Sequence, residues 1–189
     1  MTTNTAEAKH LTADELNAGL DHIRQTPAEQ GTLELITRRP AIGERDLLEE
    51  AQLDTDEGLV GDNWKTRGAD QSPPRQPNPL AQLTLMNARS ADLIAVTKER
   101  WPLAGDQLYV DFDLSVENLP PGSRVQIGTA VVEITPEPHP GCKKFVERFG
   151  MDAMLFVNGD VGKALRLRGV NTRIVEAGTI RQDDAIKKL

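Results

Sequence analysis

Apolar and polar residues alternate from Gln107 to Leu114, where Leu108, Val110, Phe112 and Leu114 interleave with Gln107, Tyr109, Asp111 and Asp113. That period of two predicts a strand with one buried face. Thr32 to Thr37 and Gln82 to Met86 read as further strands, as do Val125 to Ile127, Thr129 to Thr135, Leu165 to Arg168, Asn171 to Val175 and Thr179 to Arg181. Short strands broken by Gly122, Gly128, Gly169 and Gly178 favour a barrel or a sandwich. Helical spacing is confined to the periphery. Thr12-Ala13-Asp14-Glu15 is a capping box that starts a helix through Leu16, Leu20 and Ile23 to about Gln25. Ala88 to Glu99, Cys142 to Phe149 and Asp152 to Val157 carry the same period, and Glu44 to Ala51 is compatible with one or two helical turns. The run from Gln71 to Pro79, with Pro73-Pro74, Pro77 and Pro79, predicts an irregular loop. The expected division is an N-terminal helical extension over residues 1–30 and a mainly β domain with peripheral helices over 31–185.

Composition narrows the function. A chain of 189 residues can bury one substantial core without cross-links, and its only cysteine permits no internal disulfide. With no apolar leader and no run long enough to span a membrane, the expectation is a cytoplasmic protein with no membrane partner. A net charge of −7 argues against nucleic acid as a partner. The charge is uneven, however: residues 142–189 hold ten basic against six acidic side chains. An anionic small-molecule ligand fits that basic third. His10, His22 and His139 show no zinc-site spacing, and no phosphate-binding glycine loop or nucleophile elbow is present.

Cys142 carries the sharpest chemical signal. It ends the loop His139-Pro140-Gly141 and precedes Lys143 and Lys144, with Arg148 a turn further on. A thiol at a helix start beside cations is more readily ionised, and the thiolate is the form that attacks electrophiles and ligates metals. A lone cysteine also serves as a small buried hydrophobe, but the loop context favours reactivity. His139, three residues upstream, is a candidate base for cofactor-free thiol chemistry.

Four landmarks occur in order: Gly61-Asp62, then Glu117-Asn118-Leu119, then Ile127-Gly128 leading to Pro140-Gly141-Cys142-Lys143-Lys144-Phe145, then Leu167-Arg168-Gly169-Val170. Together they resemble the MOSC domain, named for the C-terminal part of molybdenum cofactor sulfurases, in the form of a small stand-alone bacterial-type member. The resemblance implies a MOSC-type β-barrel, like the β-barrel domain of pyruvate kinase. It further implies a molybdenum cofactor (molybdopterin), with Cys142 as metal ligand or sulfur carrier. Asn118, His139, Lys143, Lys144, Arg148 and Arg168 are the residues expected to hold that cofactor. The implied activities are reduction of N-hydroxylated or N-oxidised compounds, or sulfur transfer, and a non-catalytic carrier module remains an alternative. No iron–sulfur cluster or pyridoxal phosphate site is evident, so electrons or sulfur would come from a separate donor protein. Two departures stand out: Asn63-Trp64 follows Gly61-Asp62 where histidine is common, and Val116 replaces the usual glycine before Glu117.

Overall fold

The alternating strands close on themselves. In the computed structural model, which describes residues 9–69 and 71–189, eleven strands form in chain order: β1 (Gln30–Arg38), β2 (Asp46–Leu48), β3 (Glu50–Asp54), β4 (Gly58–Leu59), β5 (Leu83–Asn87), β6 (Leu108–Asp111), β7 (Arg124–Ile127), β8 (Ala130–Ile134), β9 (Val170–Glu176), β10 (Gly178–Arg181) and β11 (Ala185–Lys188). Their order β11-β7-β8-β9-β5-β6-β1, with β1 pairing back to β11, makes a seven-stranded barrel. Only β5 and β6 run parallel. β2 extends β1, and β3, β4 and β10 form a small second sheet.

The barrel interior is filled by Leu33, Ile36, Leu83, Leu85, Leu108, Val110, Phe112, Val125, Ile127 and Val132, among others, all fully buried. Each such side chain contributes roughly 1.5–3 kcal/mol by leaving water. The opposite faces of β5 and β6 send Met86 and Tyr109 outward into a second core, built with helices α1 (Ala13–Ala18), α2 (Leu20–Arg24), α3 (Ala88–Ala95), α4 (Lys143–Phe149) and α5 (Met151–Asn158). β1 departs from strict alternation. Its register against β6 shifts between Leu33 and Leu35, so Glu34 is an extra residue, and Leu33 and Ile36 both face the barrel while Leu35 joins the outer core.

The capping box forms as expected: Glu15 N–H donates to the Thr12 hydroxyl and Thr12 N–H to the Glu15 carboxylate. The first helix is nevertheless split at Gly19. It is not a loose appendage, since Leu16 and Ile23 are buried in the outer core and Ala13 N–H donates to Asp152 on α5; residues 1–8 of the expected extension lie outside the described residues.

Other expectations need correction. Glu44 to Ala51 is not helical; it supplies β2 and the start of β3, whose alternating burial matches a strand. Leu165 to Arg168 is a turn after α6 (Asp160–Ala164) rather than a strand. The closing strand β11 extends the β domain to Lys188. No helix among the described residues is long and apolar enough to cross a membrane.

Candidate functional site

A 3-10 helix from Lys98 to Ala104 sits at one end of the barrel and stops at Gly105, whose φ of 97° is left-handed. It is held by Tyr109 on β6, whose hydroxyl donates to the Trp101 carbonyl at 2.6 Å. The last carbonyls of a helix have no partner within it and carry its negative end. Here four consecutive carbonyls at and just past the helix end each accept from a different arginine: Pro102 O, which also takes the Gly105 N–H, from Arg45 Nε at 3.2 Å, Leu103 O from Arg148 Nη1 at 2.6 Å, Ala104 O from Arg168 Nη2 at 2.8 Å and Gly105 O from Arg39 Nη1 at 3.1 Å. Residues distant in sequence are thereby gathered around one cleft of about 420 Å³, lined by Arg39, Arg45, Arg67, Lys144, Arg148 and Arg168. Glu137 is the one carboxylate on the described lining.

Two of these arginines are further fixed by buried acids. Arg39 grips Asp62 through Nε and Nη2 at 2.9 and 2.8 Å, and its backbone N–H donates to the same carboxylate. This accounts for the Gly61-Asp62 landmark as scaffold, since Asp62 also accepts from Trp64 N–H within its own turn. Trp64 itself donates its indole N–H to Asn78 O, away from the cleft.

Arg168 pairs with Asp106 through Nη1 at 2.5 Å, and the second oxygen of Asp106 lies 2.8 Å from His139 Nε2. Burial alone would raise the Asp106 carboxyl's pKa, but the charge of Arg168, the charge His139 takes on in acid and the hydrogen bonds both donate outweigh it and hold the group well below the usual carboxylate range. An ionised Asp106 only accepts, so Nε2 carries the His139 proton and Nδ1 is the basic ring atom. Burial, reinforced by Arg168, lowers the imidazole's pKa against the opposing pull of Asp106. His139 is therefore neutral at neutral pH.

The final landmark follows from the same packing. Gly169 has φ of 114°, and a Cβ there would stand 2.5 Å from Leu85 O and 3.2 Å from the His139 ring. Gly169→Ala is expected to cost at least ~2 kcal/mol in urea unfolding, by left-handed strain and by collision with backbone. An unchanged midpoint would contradict this geometry.

Cys142 is the N-cap of α4, exposed, on the cleft wall. Its carbonyl starts the helix while its side chain makes no capping bond. Of the residues expected from sequence, Cys142, His139, Lys144, Arg148 and Arg168 come together here. Lys143 does not; the next step of the helix carries it off the lining, and it is exposed. Asn118 also lies elsewhere. Its amide donates to Ala28 O and Asp113 O, and Lys188 donates to its oxygen, so it fastens the chain between β6 and β7 to the N-terminal and C-terminal segments. Sequence reasoning missed Arg39, Arg45 and Arg67, which lie far before Cys142 and join it on the cleft only through the fold, and Asp106, which is not on the lining but holds Arg168 and His139. No hydrogen bond joins His139 to Cys142; Nε2 is held by Asp106 and the free Nδ1 makes none to the thiol, so the geometry lends no support to a thiol–imidazole pair.

Neither family models nor curated proteins match the sequence. Solved structures do. YuaD from Bacillus subtilis aligns with a TM-score of 0.57 at 17% identity over 83% of this chain and 94% of its own. YiiM from Escherichia coli aligns with a TM-score of 0.53 at 18% identity, over 84% of this chain and 69% of its own. The fold is a MOSC-type β-barrel. At such identity the likeness fixes architecture alone, and the MOSC-type frame places the loop from β8 to α4 beside the arginines of the barrel mouth.

Proposed function

We propose that this chain is a small stand-alone MOSC-domain protein that binds the molybdenum cofactor through Cys142 and reduces N-hydroxylated or N-oxidised compounds. The observation that carries this reading is an exposed soft sulfur on the wall of a cleft whose other charged groups are almost all cationic. Thiolate suits a thiophilic metal, and guanidinium groups suit a phosphate. The described residues bring together no group of three or more His, Cys, Asp or Glu side chains. A metal here would arrive in an organic chelate and take one protein ligand, which fits a pterin-held ion. Arg168 Nε is buried without a partner, a donor left for an anionic ligand.

Cys142 would ligate the metal, and Arg45, Lys144, Arg148 and Arg168 would hold the pterin phosphate. When bound, the cofactor supplies two-electron redox chemistry. Reduction of an N-hydroxyl group to an amine consumes two electrons and two protons and releases water. His139 offers Nδ1 on the same wall to take up and release a proton, with Asp106 fixing the ring's tautomer. Electrons come from a separate protein.

Protein purified from a cofactor-competent host is expected to contain molybdenum and pterin in near-stoichiometric amounts, measured by elemental analysis and pterin fluorescence. Absence of both would overturn the proposal. Bound cofactor without reductase activity when electron donors are supplied, together with a persulfide on Cys142 by intact mass, would instead make the chain a sulfur carrier.

A further inference from the structure

The cleft has a second lobe. Beyond Ile42, Gly43, Arg45, Arg67 and Lys144, which line both, a cavity of about 270 Å³ continues to Asn63, Gln71 and Arg75 and leaves Cys142 behind. No carboxylate lines it among the described residues. Arg67, Arg75 and Lys144 form no ion pair with any described acid. Of the two other cations there, Arg39 is committed to Asp62, and Arg45 donates to the Pro102 and Glu44 carbonyls. Arg67 is exposed on the lobe wall, yet partial desolvation there lowers its pKa, and the charges of Arg39 and Arg75 add to the effect against Asp62. Arg45 shows the same pattern, lowered by burial and then by Arg39 and Arg148. Like charges are thus held together at a cost to the free protein that a bound anion removes. One phosphate on the cofactor would engage Arg148 and Arg168 together with the shared Arg45 and Lys144, and leave Arg67 and Arg75 unanswered. Asn63 Oδ1 is also buried without a partner on this wall, so the occupant offers a hydrogen-bond donor as well as negative charge.

We infer that the second lobe binds a phosphoryl group carried by the substrate, so that the protein acts on phosphorylated small molecules in preference to their uncharged counterparts. Planar guanidinium groups engage phosphate oxygens in pairs, which gives both strength and orientation. A phosphate anchored between Arg67 and Arg75 leaves the rest of the molecule lying past Ile42 toward Cys142. Ile42 is 73% exposed and offers an apolar lip for an uncharged part of the ligand. The identity of the first lobe's occupant rests on the cofactor reading; the anion site in the second does not.

The test is isothermal titration calorimetry of the purified protein with inorganic pyrophosphate at low salt, beside Arg75→Gln, Arg67→Gln/Arg75→Gln and Cys142→Ser. Saturable binding is expected in the wild type and in Cys142→Ser. A loss of about tenfold is expected for Arg75→Gln and about a hundredfold for the double variant, one charge-assisted contact apiece. Both substituted arginines are exposed, and circular dichroism checks that the fold is kept. Absence of saturable pyrophosphate binding in the wild type, or equal affinity in the double variant, would overturn the site. Molybdenum and pterin lost from Arg75→Gln would assign the lobe to the cofactor's own phosphate and overturn the substrate assignment. A wild type free of molybdenum that still binds pyrophosphate through Arg75 sinks only the cofactor reading.

Discussion

Replacing Cys142 with serine is expected to remove molybdenum from the purified protein while leaving the barrel intact. The thiol is exposed and makes no capping bond, so its loss leaves no cavity and no orphaned partner. Serine is a favoured N-cap residue whose hydroxyl can accept from the free amides of α4, so urea stability should hold or rise slightly, by up to ~1 kcal/mol. The hard hydroxyl cannot replace a soft thiolate on the metal. Metal content and stability therefore move independently, which separates ligation from folding. Elemental analysis of both proteins from the same host decides the matter: equal molybdenum in the serine variant would rule out direct sulfur ligation. Because the cleft's arginines are held by carbonyls 102 to 105, the variant keeps its cationic wall. Pterin without metal in that variant would show the phosphate contacts and the sulfur contact acting separately.

What was legible in the sequence was local. The period of two gave β6, the capping box gave α1, and the loop before Lys143 gave an exposed thiol at a helix start. Failures came where long-range pairing overrides local pattern. Leu47, Leu48 and Ala51 share helical spacing, yet pairing with β1 and β10 draws those residues into strands. β11 is too short and too basic to advertise itself, although it closes the barrel by pairing with both β1 and β7. The Glu117-Asn118-Leu119 landmark illustrates a subtler error. Its order along the chain pointed to the site, but Leu119 fills the barrel and Asn118 spends its amide on two backbone carbonyls. The cleft's charge was half visible: Lys144, Arg148 and Arg168 sit in the basic C-terminal third, whereas Arg39, Arg45 and Arg67 come from the acidic remainder. Net charge of a segment says nothing about which cations the fold gathers around one set of helix-end carbonyls.

Asp106→Asn is expected to destabilise the protein by about 3–5 kcal/mol, because removing one partner of a buried ion pair leaves the other charge uncompensated. The substitution keeps the shape of a side chain that is wholly buried, so packing is not at issue. Polarity is. In wild type both carboxylate oxygens accept, one from Arg168 and one from His139. An asparagine amide must present its NH₂ to one of them, setting donor against donor unless His139 moves its proton to Nδ1. That shift would abolish the basic atom proposed to face the cleft. The pH dependence follows from the same group. Asp106 has a folded-state pKa below its unfolded value, so its contribution is present above the unfolded carboxyl pKa of ~3.9 and is lost as pH falls below it. His139 is also lowered, so the unfolded chain takes up that proton first, and its contribution is lost as pH falls below ~6.5. Urea titrations of the wild type should therefore weaken in two stages on acidification, and the lower one should be shallower in Asp106→Asn, where only the other lowered carboxylates such as Glu133 remain. A variant with the wild-type midpoint and the wild-type acid slope would mean that Asp106 does not anchor Arg168, and the ordered cationic wall would lose its foundation.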